Sequence, residues 1–166
     1  LNIFNQHADR VKVANLAQMV NVLQSVILTK DDKMVLTPTY WVFKMFRVHQ
    51  EAQLINLDLR CEDYTYGNKK IPAISASASV DIEGKVHISL ANLNPNKPIT
   101  LTCPLIGGSF KTITGEVLTA SEMNSYNSFE NPKTVKPAVF NGFTIKDGIL
   151  SISMPSKSVV VLELTK

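Results

Sequence analysis

The acidic side chains are the first candidates for chemistry, because paired carboxylates carry out general acid–base and nucleophilic catalysis. The chain has fourteen of them, and most fall in predicted turns or on strand faces predicted to be exposed, where solvated carboxylates are expected. His7, His49 and His87 are far apart in sequence and belong to no nucleophile motif or H-x-x-x-H pair. The residues alone therefore predict no catalytic residue.

Metal, thiol and phosphate chemistry have no clearer candidates. Cys61 and Cys103 lack metal-ligand spacing and a neighbouring histidine cluster, which favours buried free thiols but leaves a disulfide bridge open. The Gly107-Gly108 pair ends a predicted strand and is typical of a turn, not of a phosphate-binding loop. We therefore predict no metal site and no cofactor.

The composition excludes several classes of partner. With 166 residues, 45% hydrophobic and 19% charged, the chain can bury one good core, or one domain together with a fragment. A net charge of +3 without basic runs predicts no nucleic-acid partner. No apolar run reaches the roughly 20 residues of a membrane span, and Leu1–His7 does not resemble a signal peptide. The compartment stays open, with cytoplasm or periplasm favoured over a membrane.

The elements that would position any site begin with the stretch Val11–Leu28, which carries a single charge, at Lys12. Val11–Ala17 is rich in β-branched and small residues, which predicts a strand covered on both faces, as in parallel sheets. Nothing before it could supply the covering layers, so the chain is expected to be cut from something larger. A polar loop is predicted at Thr29–Lys33.

Two helices are predicted around this stretch. Leu1–His7 could form the last turns of one, and Thr37-Pro38 is a typical start for the other, with threonine as N-cap. The second helix, Pro38–Ala52, would be apolar over most of its circumference, which is typical of a helix packed between two neighbours. Trp41 is predicted to be a core aromatic within it.

After Ala52 the sequence changes to short alternating runs separated by turn residues, which predicts a β-sandwich or jelly roll. The predicted strands are Gln53–Cys61, Ile71–Val80, Lys85–Leu93, Pro98–Leu105, Ile113–Ala120, Phe143–Lys146, Ile149–Met154 and Ser158–Leu164. The predicted core includes Val86, Ile88, Leu90, Leu150, Ile152 and Leu162. Ser121–Pro137 is predicted to be one long irregular connection.

Three ordered stretches resemble a known family: His7–Gln24 followed by Thr37–Phe43, the irregular Met123–Pro137, and Met154–Leu164. Together they are similar to the C-terminal part of the α-L-arabinofuranosidases of glycoside hydrolase family 51. The resemblance implies a mainly β chain, a C-terminal jelly-roll β-sandwich preceded by a short α/β segment like the last unit of a (β/α)8 barrel. Residues 1–52 would be that remnant and linking segment, and residues 53–166 the sandwich domain.

The family resemblance also implies a retaining glycosidase that removes terminal arabinofuranosyl units, using two carboxylates about 5–5.5 Å apart. Val11–Ala17 would be the eighth barrel strand and Pro38–Ala52 the eighth helix. Gln18 would then lie at the active-site end of that strand, where the family uses a glutamine to contact the sugar. Both catalytic glutamates would precede Leu1, so this chain is expected to be inactive alone. Its expected partners are the missing barrel, arabinose-containing glycans through the full enzyme, and further copies in a homo-oligomer.

Alternatives remain open at this stage. Gln18 could simply cap a strand end, and Tyr126 and Phe129 could either stack on a sugar or pin their loop to the core. The chain could also be an independent carbohydrate-binding sandwich, which should show exposed aromatics on one sheet face. A third possibility is a non-enzymatic interaction module, which should show one large exposed apolar patch.

Overall fold

The computed structural model describes residues 1–16 and 18–166, and strands dominate it. Helix α1 is Asn2–Gln6 and helix α2 is Pro38–Phe46, followed by the 3-10 turn Arg47–His49. The strands are β1 Ile27–Lys30, β2 Lys33–Leu36, β3 Gln53–Ile55, β4 Asp63–Tyr66, β5 Lys69–Pro72, β6 Ile74–Val80, β7 Val86–Asn92, β8 Ile99–Pro104, β9 Thr112–Leu118, β10 Ala138–Val139, β11 Phe143–Lys146, β12 Ile149–Met154 and β13 Ser158–Thr165.

The strands form an antiparallel β-sandwich, as predicted. A six-stranded sheet has the order β10-β9-β13-β7-β6-β3, and a three-stranded sheet has the order β11-β12-β8. Strand β13 lies between β7 and β9, so Leu162 is opposite both Ile88 and Gly115. Two separate hairpins, β1-β2 and β4-β5, complete the chain.

The core lies between the two sheets because alternate residues of the facing strands are apolar. In β12, Leu150, Ile152 and Met154 are fully or almost fully buried, whereas the serines between them are not. Of the predicted core residues, five are buried and Val86 is half-buried. The alternating sequence pattern therefore identified the core correctly.

Gly115 shows how closely the chain packs in this core. A Cβ there would lie 2.9 Å from a methyl carbon of Leu162 and 3.0 Å from the carbonyl oxygen of Phe140. The Phe140 N–H donates to the Gly115 carbonyl over 2.8 Å, which holds the two backbones together. A side chain at position 115 would force them apart.

Helix α2 covers part of the outer face of the six-stranded sheet. Its Met45 and Phe46 are buried against Leu118 of β9 and Val161 of β13, together with Val135 from the long connection. Trp41 packs at the edge of the same cluster, which confirms it as a core aromatic. Here the predicted wide apolar arc of the helix meets the sandwich.

The helix is shorter than predicted. The Thr37 Oγ1 accepts a hydrogen bond from the Tyr40 N–H over 3.4 Å, which confirms the N-cap. The α-helix ends at Phe46, however, and not at Ala52. Glu51 has a φ of 58°, a left-handed conformation that no helix continues through, and the chain then enters β3.

The predicted strand Val11–Ala17 is not formed. Residues 11–16 belong to no strand and are largely exposed, and Ala17 lies outside the described residues. A strand needs hydrogen-bonded neighbours, and within the described chain no strand lies beside this segment. The loop predicted at Thr29–Lys33 was also wrong, because β1 and β2 pair from Ile27–Leu36 to Lys30–Lys33.

Other boundaries follow the predictions with local differences. The run predicted at Gln53–Cys61 is a strand only to Ile55, and the β4-β5 hairpin was not predicted. The connection Ser121–Pro137 is irregular, as predicted, and Cys61 and Cys103 are free thiols. Within the described residues, no helix is long and apolar enough to cross a membrane.

Candidate functional site

Gln18 is the one residue that the sequence assigned to a ligand, and the structure places it in an exposed position with a φ of 51°. It precedes residues 19–21, whose backbone is hydrogen-bonded to the start of the β1-β2 hairpin. The Met19 carbonyl accepts from the N–H groups of Val26 and Ile27 over 3.1 and 3.0 Å. The backbone next to Gln18 is therefore fixed by the start of β1.

Hydrogen bonds from a side chain hold the same stretch in place. The Asn21 amide donates to the Thr29 hydroxyl over 2.8 Å and accepts from the Thr29 N–H over 2.7 Å. The Asn21 N–H also donates to the Ile27 carbonyl over 3.1 Å. Asn21 has a left-handed φ of 56°, which asparagine tolerates in turns. Its side-chain amide adds hydrogen bonds across the turn to those made by the backbone. These contacts give Asn21 a structural role.

Seven apolar side chains within residues 3–23 are exposed, and we call them together the N-terminal apolar surface. Val13 is 74% exposed and Leu23 is 93% exposed, far more than apolar side chains in a sandwich core. The members of this surface are Ile3, Phe4, Val13, Leu16, Met19, Val20 and Leu23. Exposed apolar side chains grouped in one segment are typical of regions that contact another protein unit.

The irregular connection is tied to the hairpin by a residue that the sequence analysis did not single out. Asn127 is only 3% exposed, and its amide nitrogen donates to the carbonyls of Leu36 and Val135, both over 2.8 Å. Its amide oxygen accepts from the Val135 N–H over 2.7 Å. Asn127 lies between Tyr126 and Ser128 in a loop without helix or strand periodicity, so the sequence pattern does not distinguish it from the other asparagines of the loop.

The two aromatic residues of that connection differ in exposure. Tyr126 is 70% exposed and Phe129 is half-buried. Asn131 and Ser128 bond to each other within the loop, as expected of structural residues. Glu130 accepts from its own backbone N–H and from the Ser128 hydroxyl, and these bonds lower the pKa of its carboxyl. An acid held ionised in this way is unsuited to donate a proton.

A polar cluster lies on the outer face of the six-stranded sheet. His49 bonds to the Ser79 hydroxyl through Nδ1 over 2.7 Å and to the Ser89 hydroxyl through Nε2 over 2.6 Å. Burial, together with the nearby His87, lowers the pKa of His49 to about 4. His87 Nε2 lies 3.0 Å from Asp81 Oδ2, an interaction that lowers the pKa of Asp81.

Helix α1 adds amides to the same face. Asn2 donates to the Ser75 carbonyl over 2.9 Å and accepts from the Ser77 hydroxyl over 2.8 Å, and Gln6 donates to the Ala76 carbonyl over 2.7 Å. Serines at every second position of β6 thus receive polar side chains from residues 1–52. This arrangement docks one segment on another. The Ser79 and Ser89 hydroxyls that contact the His49 ring are themselves buried, 4% and 0% exposed, so they are not open to a substrate.

The described residues therefore lack a catalytic centre. No group of three or more His, Cys, Asp or Glu side chains among them could hold a metal ion. The outer face of the large sheet is partly covered by α1 and α2, so no open aromatic platform faces solvent there. The fold defines a β-sandwich domain preceded by an N-terminal segment with exposed apolar side chains.

Known proteins place this domain in a family. The family model of the α-L-arabinofuranosidase C-terminal domain matches residues 1–158. An intracellular exo-α-L-arabinofuranosidase of Bacteroides ovatus is 48% identical over 165 residues, which are 99% of this chain and 32% of that protein. The chain belongs to the α-L-arabinofuranosidase C-terminal domain family.

Solved structures agree in fold. The GH51 arabinofuranosidase from Xanthomonas axonopodis pv. citri matches with a TM-score of 0.96 at 40% identity, over 99% of this chain and 33% of that one. The thermostable GH51 α-L-arabinofuranosidase from Thermotoga petrophila RKU-1 gives a TM-score of 0.83 at 25% identity, over 97% and 35% respectively. The chain thus spans about a third of the length of these relatives.

Proposed function

We propose that this chain is the C-terminal, non-catalytic portion of a retaining α-L-arabinofuranosidase that hydrolyses terminal arabinofuranosyl residues of arabinan- and arabinoxylan-type glycans. The observation that carries the proposal is the match of nearly the whole chain to about a third of a GH51 arabinofuranosidase, with a TM-score of 0.96. The two catalytic glutamates would lie in the remaining two thirds, in a (β/α)8 barrel.

Within that enzyme, residues 1–52 would complete the barrel and residues 53–166 would form the sandwich that braces it. Two features support a boundary near Ala52. The core between the two sheets is built from residues after 52, whereas α2 packs on the outer face in a second apolar cluster. The helical part also ends at His49, shortly before β3 begins at Gln53.

The N-terminal apolar surface would then face the barrel. Residues 11–16 are largely exposed and belong to no strand, so neighbouring barrel strands could pair with them once present. The same surface, or the sandwich, would also serve a homo-oligomer. Burying an exposed side chain such as Leu23 contributes about 1.5–3 kcal/mol, so even a few such contacts stabilise the docked state.

Gln18 would be the chain's contribution to the sugar site. Its exposure supports this role, and so does its place directly after the segment that the family resemblance assigns to the eighth barrel strand, because barrel enzymes bind substrate at the carboxyl ends of their strands. A glutamine amide both donates and accepts hydrogen bonds, which suits adjacent sugar hydroxyls. Gln18 would bind and orient the sugar and would take no part in proton transfer.

The proposal is tested with 4-nitrophenyl α-L-arabinofuranoside and the full-length protein that contains this chain. The full-length protein should release 4-nitrophenol, and residues 1–166 alone should not. Gln18→Ala in the full-length protein should lower kcat/KM by roughly 10-fold to 100-fold, because an oriented sugar contact is lost. Turnover by residues 1–166 alone that disappears on replacing one of their glutamates would contradict the assignment.

A further inference from the structure

We propose that Asn127, in the long connection of the sandwich, is a positioning residue for the sugar site, acting through the β1-β2 hairpin on Gln18. The inference rests on the proposed function, because it assumes that Gln18 contacts the sugar. It adds a role for the sandwich beyond bracing, since a residue more than a hundred positions further along the chain would set the geometry at the barrel rim.

The first step is the contact of Asn127 with the hairpin. Asn127 donates to the Leu36 carbonyl, the last residue of β2, over 2.8 Å. Its other two bonds, both to the backbone of Val135, fix the amide within its own loop. A buried amide with both ends satisfied has one orientation, so the loop holds the end of β2 in a defined place.

The second step runs across the hairpin. Leu36 is paired with Ile27 and Val35 with Leu28, so the end of β2 fixes the start of β1. Ile27 donates to the Met19 carbonyl and accepts from the Asn21 N–H. Met19 is the next residue after Gln18, and Asn21 follows two positions later. The two bonds made by Ile27 are backbone hydrogen bonds of ordinary length, 3.0 and 3.1 Å.

A parallel tie reinforces the same path. The Thr37 hydroxyl lies 2.8 Å from the Ser25 carbonyl and 3.0 Å from the Val26 carbonyl, and the Thr37 N–H donates to Val26 over 3.1 Å. Thr37 also caps α2, which is packed on the sandwich through Met45 and Phe46. The hairpin is thus attached to the sandwich at two adjacent points, Leu36 and Thr37.

This attachment matters because Gln18 is exposed and has a left-handed φ of 51°. The positive φ is uncommon for a residue with a side chain and persists only where the surrounding backbone imposes it. Loosening β1 would let residues 18–21 relax, and a shift of about 1 Å in a sugar contact can lower the rate up to about 100-fold.

The chain offers a matched control in Asn92, which is also 3% exposed. Its amide donates to the carbonyls of Lys97 and Pro155 and accepts from the Asn94 N–H, the same number and kind of bonds as Asn127 makes. These partners lie in turns of the sandwich and not in the hairpin. Asn92→Ala therefore removes an equivalent buried amide without touching the path to Gln18.

The test uses the full-length protein with Asn127→Ala, Asn92→Ala, Gln18→Ala and the double variant Gln18→Ala/Asn127→Ala. Two quantities are measured: hydrogen exchange of peptides covering residues 18–29, and kcat/KM per folded molecule on 4-nitrophenyl α-L-arabinofuranoside. Asn127→Ala should raise exchange in residues 18–29 and lower kcat/KM about 10-fold, whereas Asn92→Ala should do neither. In the Gln18→Ala background, Asn127→Ala should cause little further loss, because both changes act on one contact.

The outcomes separate the two proposals. If the wild type does not hydrolyse the arabinofuranoside but Asn127→Ala still loosens residues 18–29, the proposed function is wrong while the coupling stands. Unchanged exchange at 18–29, or additive losses in the double variant, would overturn the role of Asn127 even in an active enzyme. Should Asn127→Ala fail to fold, Thr37→Val tests the parallel tie: it should raise exchange in residues 18–29, and Thr37→Ser should restore it. If Thr37→Val leaves that exchange unchanged, the inference fails.

Discussion

The strand β13 and the segment 11–23 make an informative pair, because both are rich in branched apolar side chains. Strand β13 is hydrogen-bonded on both sides, to β7 and β9, and buries Val160, Leu162 and Leu164 completely. The segment 11–23 leaves Val13 and Leu23 largely exposed, and its described residues 11–16 belong to no strand. Apolar composition predicts that a segment needs cover, but hydrogen-bonding neighbours decide whether it becomes a strand.

The largest difference between the two regions should appear in stability. Leu162→Ala in β13 is expected to lower the free energy of unfolding by about 2–5 kcal/mol, because it opens a cavity in the fully buried core. Leu23→Ala, at a side chain that is 93% exposed, should change it by less than about 0.5 kcal/mol. Urea unfolding of the 166-residue chain measures both values. Equal losses in the two variants would show that segment 11–23 packs in solution.

The sandwich could be predicted from sequence because its information is local. Phe143–Lys146 and Ile149–Met154 were placed to the residue, since their alternation and the Asp147-Gly148 turn between them point to one hairpin. Hairpin β1-β2 was missed because its turn, Asp31-Asp32, contains no glycine, although Asp31 adopts a φ of 52°. Helix α2 was predicted too long because the amphipathic pattern continues past Phe46, where the α-helix ends before the backbone turns toward β3.

Self-association should give the next largest effect. The N-terminal apolar surface of residues 1–166 has nothing over it, so we expect the isolated chain to associate more strongly as its concentration rises. Leu16→Ser with Leu23→Ser should weaken that association at least about 10-fold, since each buried leucine contributes roughly 1.5–3 kcal/mol. Sedimentation at several concentrations tests this. A strictly monomeric chain would contradict the assignment of this surface to a partner.

The site could be predicted only in part. Gln18 was predicted through the family resemblance alone, and its role stays a prediction, because nothing in its own chemistry distinguishes it from any exposed glutamine. Asn127 and His49 could not be found in this way, since their roles depend on carbonyls and hydroxyls that are distant in sequence. A buried amide or imidazole becomes informative only when its partners are known.

Acid should lower the stability of the contact between the 3-10 turn and the six-stranded sheet, because it protonates His49. The neutral ring joins the 3-10 turn to Ser79 and Ser89, and its pKa of about 4 lies below the ordinary 6.5. Between these values the unfolded chain binds the proton more readily, so stability should fall as the pH is lowered from 6.5 to 4, by at most about 1.4 kcal/mol per pH unit. Urea unfolding across this pH range measures the slope.

His49→Gln serves as the control for that slope. It keeps a polar side chain near the two serines but removes the titration, so the slope between pH 6.5 and 4 should flatten. Any loss of stability below the usual carboxyl range should remain, because Asp81, whose pKa His87 lowers, titrates there. An unchanged slope in His49→Gln would assign the pH dependence to another group.

The smallest effect is expected inside the sandwich half, in the exposed hairpin β4-β5. All four residues of β5 are exposed, so the hairpin resembles segment 11–23 in its surroundings although it has a paired strand. Lys70 Nζ lies 2.7 Å from Asp63 Oδ2 across the pair, but both side chains face water. Lys70→Ala should therefore lower the stability far less than Leu162→Ala does, and less still in high salt. Urea unfolding at low and high ionic strength measures this cost. We do not expect a loss of stability as large as that of Leu162→Ala, because β5 is exposed throughout. A loss of that size would mean that cross-strand pairing stabilises this hairpin without burial.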